Sequence, residues 1–357
     1  MVIALKINYK KLLTHLPKIL CTVLLITVIL LNPKTASDGI KNGITLLLTT
    51  VIPSLFPFLV IASYIASSDA FKMLSGIFAK ITKVIFKLSP DGFIPILMGL
   101  LGGYPIGAKI TADLYKSNRI TQNEAERLMY FTVNSGPAFT ITAVGVGMLH
   151  NYYSGVILYL SNILTALVMG FLCRFLSDNK ASEAEKVIPQ DKAYAFINSV
   201  SSGANAIINI SAWVLTFSCI SGIIESFNLN TSFELFLNAI LEVTNGCKVC
   251  SKETSLPVIS AILGFGSLSV ICQVSPYFSI CKVKLQNFIV SRILNSSLSA
   301  FFTFQLLNIF PKAQETVIIY SDSNGAIGIS YTVGVTVILI IMCVFFILQV
   351  DNRKKVW

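Results

Sequence analysis

Charge is what this chain has least of. Only 12% of its 357 residues are Asp, Glu, Lys or Arg, about half the ~25% of a typical water-soluble domain. A soluble fold of this length must cover its surface with ionic side chains, so that class is excluded. Histidine is nearly missing too, with only His15 and His150. There is no HExxH, no Walker loop and no nucleophile elbow, so hydrolytic chemistry has few bases to draw on and no catalytic residue is assigned. A cysteine framework is also lacking. Cys21, Cys173, Cys219, Cys272 and Cys343 are scattered through apolar segments. Cys247 and Cys250 make one CxxC, but neither histidine is near enough in sequence to complete a zinc site. Inert buried thiols are the default, and no metal is expected.

What fills the chain instead is apolar: 54% hydrophobic residues and a mean hydropathy of +0.75. That composition belongs to an all-α polytopic integral membrane protein. The net charge of +10 is then a mark of cytoplasmic loops rather than a nucleic-acid footprint. The expected partners are the lipid bilayer and a small solute, with no nucleic acid; a homo-oligomer is left open.

The most informative stretch is 92–116, GFIPILMGLLGGYPIGAKITADLYK, which is apolar but carries Gly102, Gly103, Pro105 and Gly107 at its centre. Glycine loosens a helix and proline removes a donor, while each flanking arm is half the length that crosses hydrocarbon. A re-entrant hairpin with its tip inside the membrane fits best; a proline-kinked span without a site is the alternative.

The remaining chain reads in order. Lys6, Lys10, Lys11 and Lys18 precede the apolar run Ile19–Leu31, an uncleaved anchor, because cleavage after Ala36 would put Lys34 where a small residue is wanted. Residues 40–66 read as a span kinked at Pro53 and Pro57. Residues 70–88 place Lys72, Lys80, Lys83 and Lys87 on one face and Phe71, Leu74, Phe78, Ile81 and Ile85 on the other, as in a helix lying on an anionic surface. Thr121 and Glu124 have capping-box spacing and open a helix interrupted at Asn134-Ser135-Gly136-Pro137. Residues 153–176 cross back, and 177–192 form a polar linker.

The second half repeats this order. A span at 197–226 is followed by an amphipathic stretch at 231–245 with Glu234, Asn238, Glu242 and Asn245 in one stripe. A second hairpin is expected over 257–281 with Gly264, Gly266 and Ser267 at its tip, then a helix over 284–308 interrupted at Asn295-Ser296-Ser297, then a span at 331–350. Pro95, Gly102 and Tyr115 recur 162 residues later as Pro257, Gly264 and Tyr277 (257 − 95), and Asn134-Ser135 recurs as Asn295-Ser296. The expected organisation is a 1–38 anchor, repeats at 39–191 and 192–350, and a basic tail at 351–357, with about seven spans and two hairpins. Three crossings per half would invert the second copy, as in secondary transporters. Lys282, Lys284, Arg292 and the tail Arg353-Lys354-Lys355 conflict with that inversion, because they would then lie outside.

The segments GLLGGYPIGAKITADLY (99–115), AERLMYFTVNSGPAF (125–139), LEVTNG (241–246) and LGFGSLSVICQV (263–274) resemble the sporulation integral membrane protein YlbJ family, also called SpoVV. The resemblance covers roughly residues 40–310. It places the chain in a wider group with a nucleoside-recognition gate domain, which includes concentrative nucleoside transporters. It implies movement of dipicolinate across the outer forespore membrane of a sporulating bacterium. A nucleoside-type carrier, or a non-transporting protein of spore-envelope assembly in a bacterial membrane, are the alternatives. Nucleoside carriers present Gln, Thr and Glu from their hairpin tips, where this chain has Gly103-Tyr104-Pro105-Ile106-Gly107 and Gly264-Phe265-Gly266-Ser267.

For such a dicarboxylate, half-helix N-termini at the tips would supply donors. Lys109 either binds a carboxylate or pairs with Asp113. Asn134, Ser135, Asn295 and Ser296 either meet the solute or a coupling cation, or hold helices together. Tyr104 either stacks on the ring or packs. Glu242 and Asn245 either couple transport to a proton or sodium ion or form the polar face of a surface helix. Gln273, opposite Thr111 in the repeat, is a further binding candidate.

Overall fold

The computed structural model describes residues 26–67, 69–177, 195–227, 231–251 and 255–310, together with Leu16, Leu20 and Val23. Most of the expected anchor, all but the first residue of the linker expected at 177–192, the span at 331–350 and the basic tail lie outside the described residues. Within them every regular element is a helix.

The span expected at 40–66 begins earlier, at Pro33. Helix α1 (Pro33–Leu46) passes through a π-turn at Leu47–Val51 into α2 (Ile52–Ser67), with a bend of 55° across Pro53. A π-turn followed by a proline accounts for that bend. Gly39 and Gly43 of α1 lie against Ser218 and Gly222 of the later helix at 195–225, backbone close to backbone. Small residues allow that approach in a membrane, where packing rather than water drives association.

The lysine-bearing surface helix follows as α3 (Asp69–Ile81) and a π-turn at Thr82–Phe86. Lys80, Lys83 and Lys87 are exposed, whereas Ser75, Thr82 and Phe86 are buried. Arg127 closes its end by donating to the Phe86 and Lys87 carbonyls at 2.9 and 2.8 Å. From there the chain turns by 90° into the hairpin.

The first hairpin forms as the sequence predicts. Its arms are α4 (Phe93–Gly102) and α5 (Ile106–Lys116), and Gly103-Tyr104-Pro105 is the tip, with a cis bond before Pro105. The arms cross at Gly99 and Gly107. A Cβ on either glycine would come within 2.1 or 2.2 Å of the Thr132 carbonyl oxygen.

Thr132 ends α6 (Gln122–Thr132), which opens with the predicted Thr121/Glu124 capping box. Residues 133–136 are not helical. The chain resumes as α7 (Ala138–Met148), wound as a π-helix, and α8 (Tyr152–Cys173) returns, capped by Asn151. Helix α9 (Ala195–Glu225) matches the predicted span.

The second half departs from expectation in three places. The stretch at 231–245 is not one amphipathic helix. It breaks at Glu242 into α10 (Thr231–Leu241) and α11 (Val243–Cys250), and the two fold back on each other. A Cβ on Gly246 would lie 2.8 Å from the Ala239 Cα, which is possible only in a hairpin, since seven residues of straight helix separate Cα atoms by about 10 Å. Residues 257–281 are not the second hairpin. Helices α12 (Leu256–Phe265) and α13 (Ser267–Cys281) form a 26-residue segment long and apolar enough to cross a membrane, interrupted by Gly266 (φ 82) and Ser267 (φ 58). Finally, α14 (Leu285–Ile309) runs without a break through Asn295-Ser296.

Two left-handed residues broke the hydrogen-bond ladder at 266–267 without reversing the chain. The first tip needed three non-helical residues to do so. The order hairpin, interrupted helix, uninterrupted helix therefore occurs at 93–116, 122–148 and 152–173, and again at 231–250, 256–281 and 285–309. Among the described residues three helices can span a bilayer, Tyr152–Leu176, Phe196–Glu225 and Leu256–Cys281, or up to five if each bent pair is one span.

Candidate functional site

The two hairpin tips, the first interruption and the α13 part of the second interrupted helix meet around one cavity. It is lined on one side by Gly102, Gly103 and Tyr104 of the first tip and Gly136 of the first break, and on the other by Glu242, Val243 and Thr244 of the second tip with Gln273 and Val270 of α13. Val51, Leu55, Phe139, Ile210 and Val214 complete an apolar wall. Its volume is about 30 Å³, room for water and far below the ~300 Å³ at which pockets for drug-sized ligands begin. As it stands the site has no room for an organic solute, which would enter only if the elements around it moved apart.

A helix that stops inside a membrane leaves its last carbonyls without partners, and in hydrocarbon each must be satisfied by protein. At the first break the partners are identifiable. The Arg292 guanidinium of α14 donates to the Tyr130 and Val133 carbonyls. Asn295 Nδ2 adds a bond to Tyr130 O at 3.1 Å, and Asn134 Nδ2 takes Phe131 O at 2.6 Å. Asn162 of α8 donates to the Ser135 carbonyl at 2.7 Å and to its hydroxyl at 2.9 Å, and Thr140 adds a third bond to Ser135 at 3.0 Å.

At the second break the Tyr104 hydroxyl donates to Leu263 O at 2.6 Å, and Ser267 Oγ donates to Ala239 O of α10 at 2.6 Å. Each break is thereby tied to an element of the other half.

Glu242 forms the second tip. It is 1% exposed and caps α11, accepting from the Asn245 N–H at 2.7 Å and from Thr244 Oγ1 at 3.0 Å. The reading of Glu242 as part of an exposed polar stripe does not hold, because the tip turns it inward. Asn245 bonds sideways, its Nδ2 to Ser218 Oγ of α9 at 3.1 Å.

The structure brings Gly103, Tyr104, Glu242 and Gln273 to the cavity, from four separate sequence readings. Pro105 is buried at the tip, and Gly107 serves the crossing with Gly99. Lys109 points elsewhere: its Nζ meets Ser202 Oγ of α9 at 2.5 Å, while Asp113 is exposed. Asn134 and Ser135 lie on the first break, but their side chains bond backbone and neighbouring side chains. Asn295 and Ser296 sit on an unbroken helix; Ser296 Oγ donates to Ala261 O at 2.8 Å. Gly264 packs against that helix, 2.8 Å from the Asn295 carbonyl to its Cβ position, and Gly266 lies beside the Tyr104 ring.

Two cavity residues, Gly136 and Thr244, were legible only as parts of quoted motifs. Arg292 was missed as a site residue. A lone arginine inside an apolar stretch was the available signal.

Comparison with known proteins agrees with this picture. A family model described as Gate, nucleoside recognition, matches residues 48–152, which include the first hairpin and first interruption. The chain is 27% identical to the sporulation integral membrane protein YlbJ of Bacillus subtilis (strain 168), over 77% of this chain and 78% of that one. No solved structure matches it. The chain is an integral membrane protein, similar through most of its length to the YlbJ sporulation membrane protein and similar over residues 48–152 to the nucleoside-recognition gate family.

Proposed function

We propose that this protein is a transporter of a small organic anion, and that the solute is dipicolinate, carried across the outer forespore membrane during sporulation. The observation that carries the transporter reading is the cavity itself: two hairpin tips and two interrupted helices converge on it from both halves of the chain. Paired broken elements around a central site are the usual construction of secondary carriers. The choice of dipicolinate rests on the resemblance to the sporulation family, supported by the similarity to YlbJ. Tyr104 supplies an aromatic wall, against which a flat ring would lie once the cavity has opened. Opening the first hairpin would add the free N–H groups at the start of α5.

A second reading, a nucleoside carrier, is favoured by the gate match and by the presence of Gln273, Thr244 and Glu242 in the cavity. Neutral polar groups with one carboxylate suit a base and ribose. Uptake of labelled dipicolinate into liposomes carrying the purified protein, with unlabelled dipicolinate or uridine as competitor, separates the two. Dipicolinate uptake blocked only by dipicolinate is expected. Uridine uptake without dipicolinate uptake replaces the first reading by the second, and transport of neither removes both.

A further inference from the structure

The first interruption has the construction of a cation site. The end of α6 turns its last carbonyls, and the negative end of its dipole, toward the break. In transporters, freed carbonyls of this kind coordinate the coupling cation. Here the place is held by a side chain. Arg292 is 1% exposed and donates to Tyr130 and Val133, while Asn295 and Asn134 cover Tyr130 and Phe131. A guanidinium on a continuous helix does not leave and return with each transport cycle. The second interruption offers no open cluster either, since Tyr104 takes the Leu263 carbonyl and Ser296 the Ala261 carbonyl.

Glu242 is the one carboxyl among the described residues that line the cavity. Its oxygens face donors, the Asn245 N–H and the Thr244 hydroxyl, and the buried Ser269 hydroxyl lies beside it. Tyr104 faces it from the first hairpin and Cys247 from its own helix, with Cys250 behind. Arg292 reaches Tyr104 from the other side with its terminal nitrogens engaged. Among the described residues no cation faces Glu242, and its two oxygens are already engaged by the Thr244 hydroxyl and the Asn245 N–H.

We infer that the coupling ion is a proton carried by Glu242, and that Arg292 stands as a fixed charge where a sodium ion would otherwise bind. The inference rests on the reading of the solute as an anion. A carboxylate solute beside an ionised Glu242 meets like charge in a low-dielectric cavity, so it binds when the Glu242 carboxyl is protonated, and solute and proton cross together.

Two measurements test this. In liposomes, dipicolinate uptake is driven either by a pH gradient, acid outside, or by a sodium gradient at equal pH. The pH gradient should raise accumulation several-fold and the sodium gradient should leave it unchanged. Glu242→Gln should lose the pH response, whereas Asp38→Asn on the exposed face of α1 should keep it. Sodium-driven accumulation, or a pH response that survives in Glu242→Gln, overturns the proposal. The second measurement needs no solute: the melting temperature of purified protein is followed from mildly acidic to mildly basic pH, and in sodium against choline chloride. The pH profiles of wild type and Glu242→Gln should differ, and sodium should have no specific effect. Coincident profiles, or a sodium-specific rise, overturn it. If dipicolinate fails to enter under any gradient while the melting profiles behave as expected, the solute assignment falls and the proton site stands.

Discussion

The Tyr104 hydroxyl lies 2.6 Å from the Leu263 carbonyl and donates to it, so the tip of the first hairpin is fastened to the break in the second half. That carbonyl would bond the Ser267 N–H in a regular helix, but Gly266 and Ser267 have turned left-handed. Tyr104→Phe removes the donor and leaves a buried acceptor bare, at a cost of about 1–3 kcal/mol. Thermal unfolding in detergent should show a clearly lower midpoint, and amide exchange at residues 103–107 should speed up. An unchanged midpoint with unchanged exchange would mean that the bond does not hold the tip.

The crossing of the first hairpin leaves no room for a methyl group. Gly99→Ala or Gly107→Ala would drive a Cβ to 2.1 or 2.2 Å from the Thr132 oxygen, a backbone atom that cannot swing away. Overpacking of a tight core costs about 1–3 kcal/mol or more, so both variants should express poorly or melt early. Gly76→Ala is the matched control. It lies in α3 with nothing within 4 Å of its Cβ position, so better helix propensity should stabilise it by roughly 0.5–1 kcal/mol. Equal behaviour of the three variants would refute the close crossing.

Arg292 holds the first break closed. Arg292→Met takes the side-chain donor from the Val133 carbonyl and leaves the Tyr130 carbonyl with Asn295 alone, and a buried carbonyl left unpaired costs about 1–3 kcal/mol. Removing the buried charge returns part of that, since a guanidinium is costly to desolvate. Arg292→Lys keeps the charge but loses the fork that reaches two carbonyls at once. The expected order of melting temperature is wild type, then Lys, then Met, read in one detergent. A Met variant as stable as wild type would show that the carbonyls find other partners.

The first half was legible because each of its signals is local. Gly102, Gly103 and Pro105 cluster within four residues and reverse the chain, and the Thr121/Glu124 box and Asn134-Ser135-Gly136-Pro137 fix where α6 starts and stops. The second half was misread because Gly264 and Gly266 look like the same signal but do different work. Gly264 is a contact point for α14, and Gly266 is a left-handed interruption that lets the helix continue. The true second tip contains no glycine or proline. Glu242 turns the chain as a helix cap, and Gly246, four residues on, marks the crossing. The cavity brings together residues as distant as Tyr104 and Gln273. The direction of Lys109, toward Ser202 rather than the cavity, depends on where α9 packs, which local sequence does not carry.

The fold of the second half predicts where its basic residues lie. Three helices between Thr121 and Lys282 are long and apolar enough to cross, Tyr152–Leu176, Phe196–Glu225 and Leu256–Cys281. The interrupted segment 122–148 is taken as a fourth crossing, and the folded-back α10–α11 pair as returning to its own side. Four crossings are an even number, so Lys282 and Lys284 emerge on the face that carries Lys80, Lys83 and Lys87. That is the cytoplasmic face by the excess of Lys and Arg there. Had 257–281 doubled back as the sequence predicted, the count would be odd and these lysines would face out against the charge rule. Single cysteines in a cysteine-free background decide it. In intact cells Lys80→Cys and Lys284→Cys should both be protected from an impermeant maleimide, and His150→Cys at the outer turn should react. Labelling of Lys284→Cys together with His150→Cys would restore the hairpin at 257–281. The same labelling would also follow if 256–281 crossed and the α10–α11 fold were itself a crossing, and in that case Glu242 would lose its place at the tip.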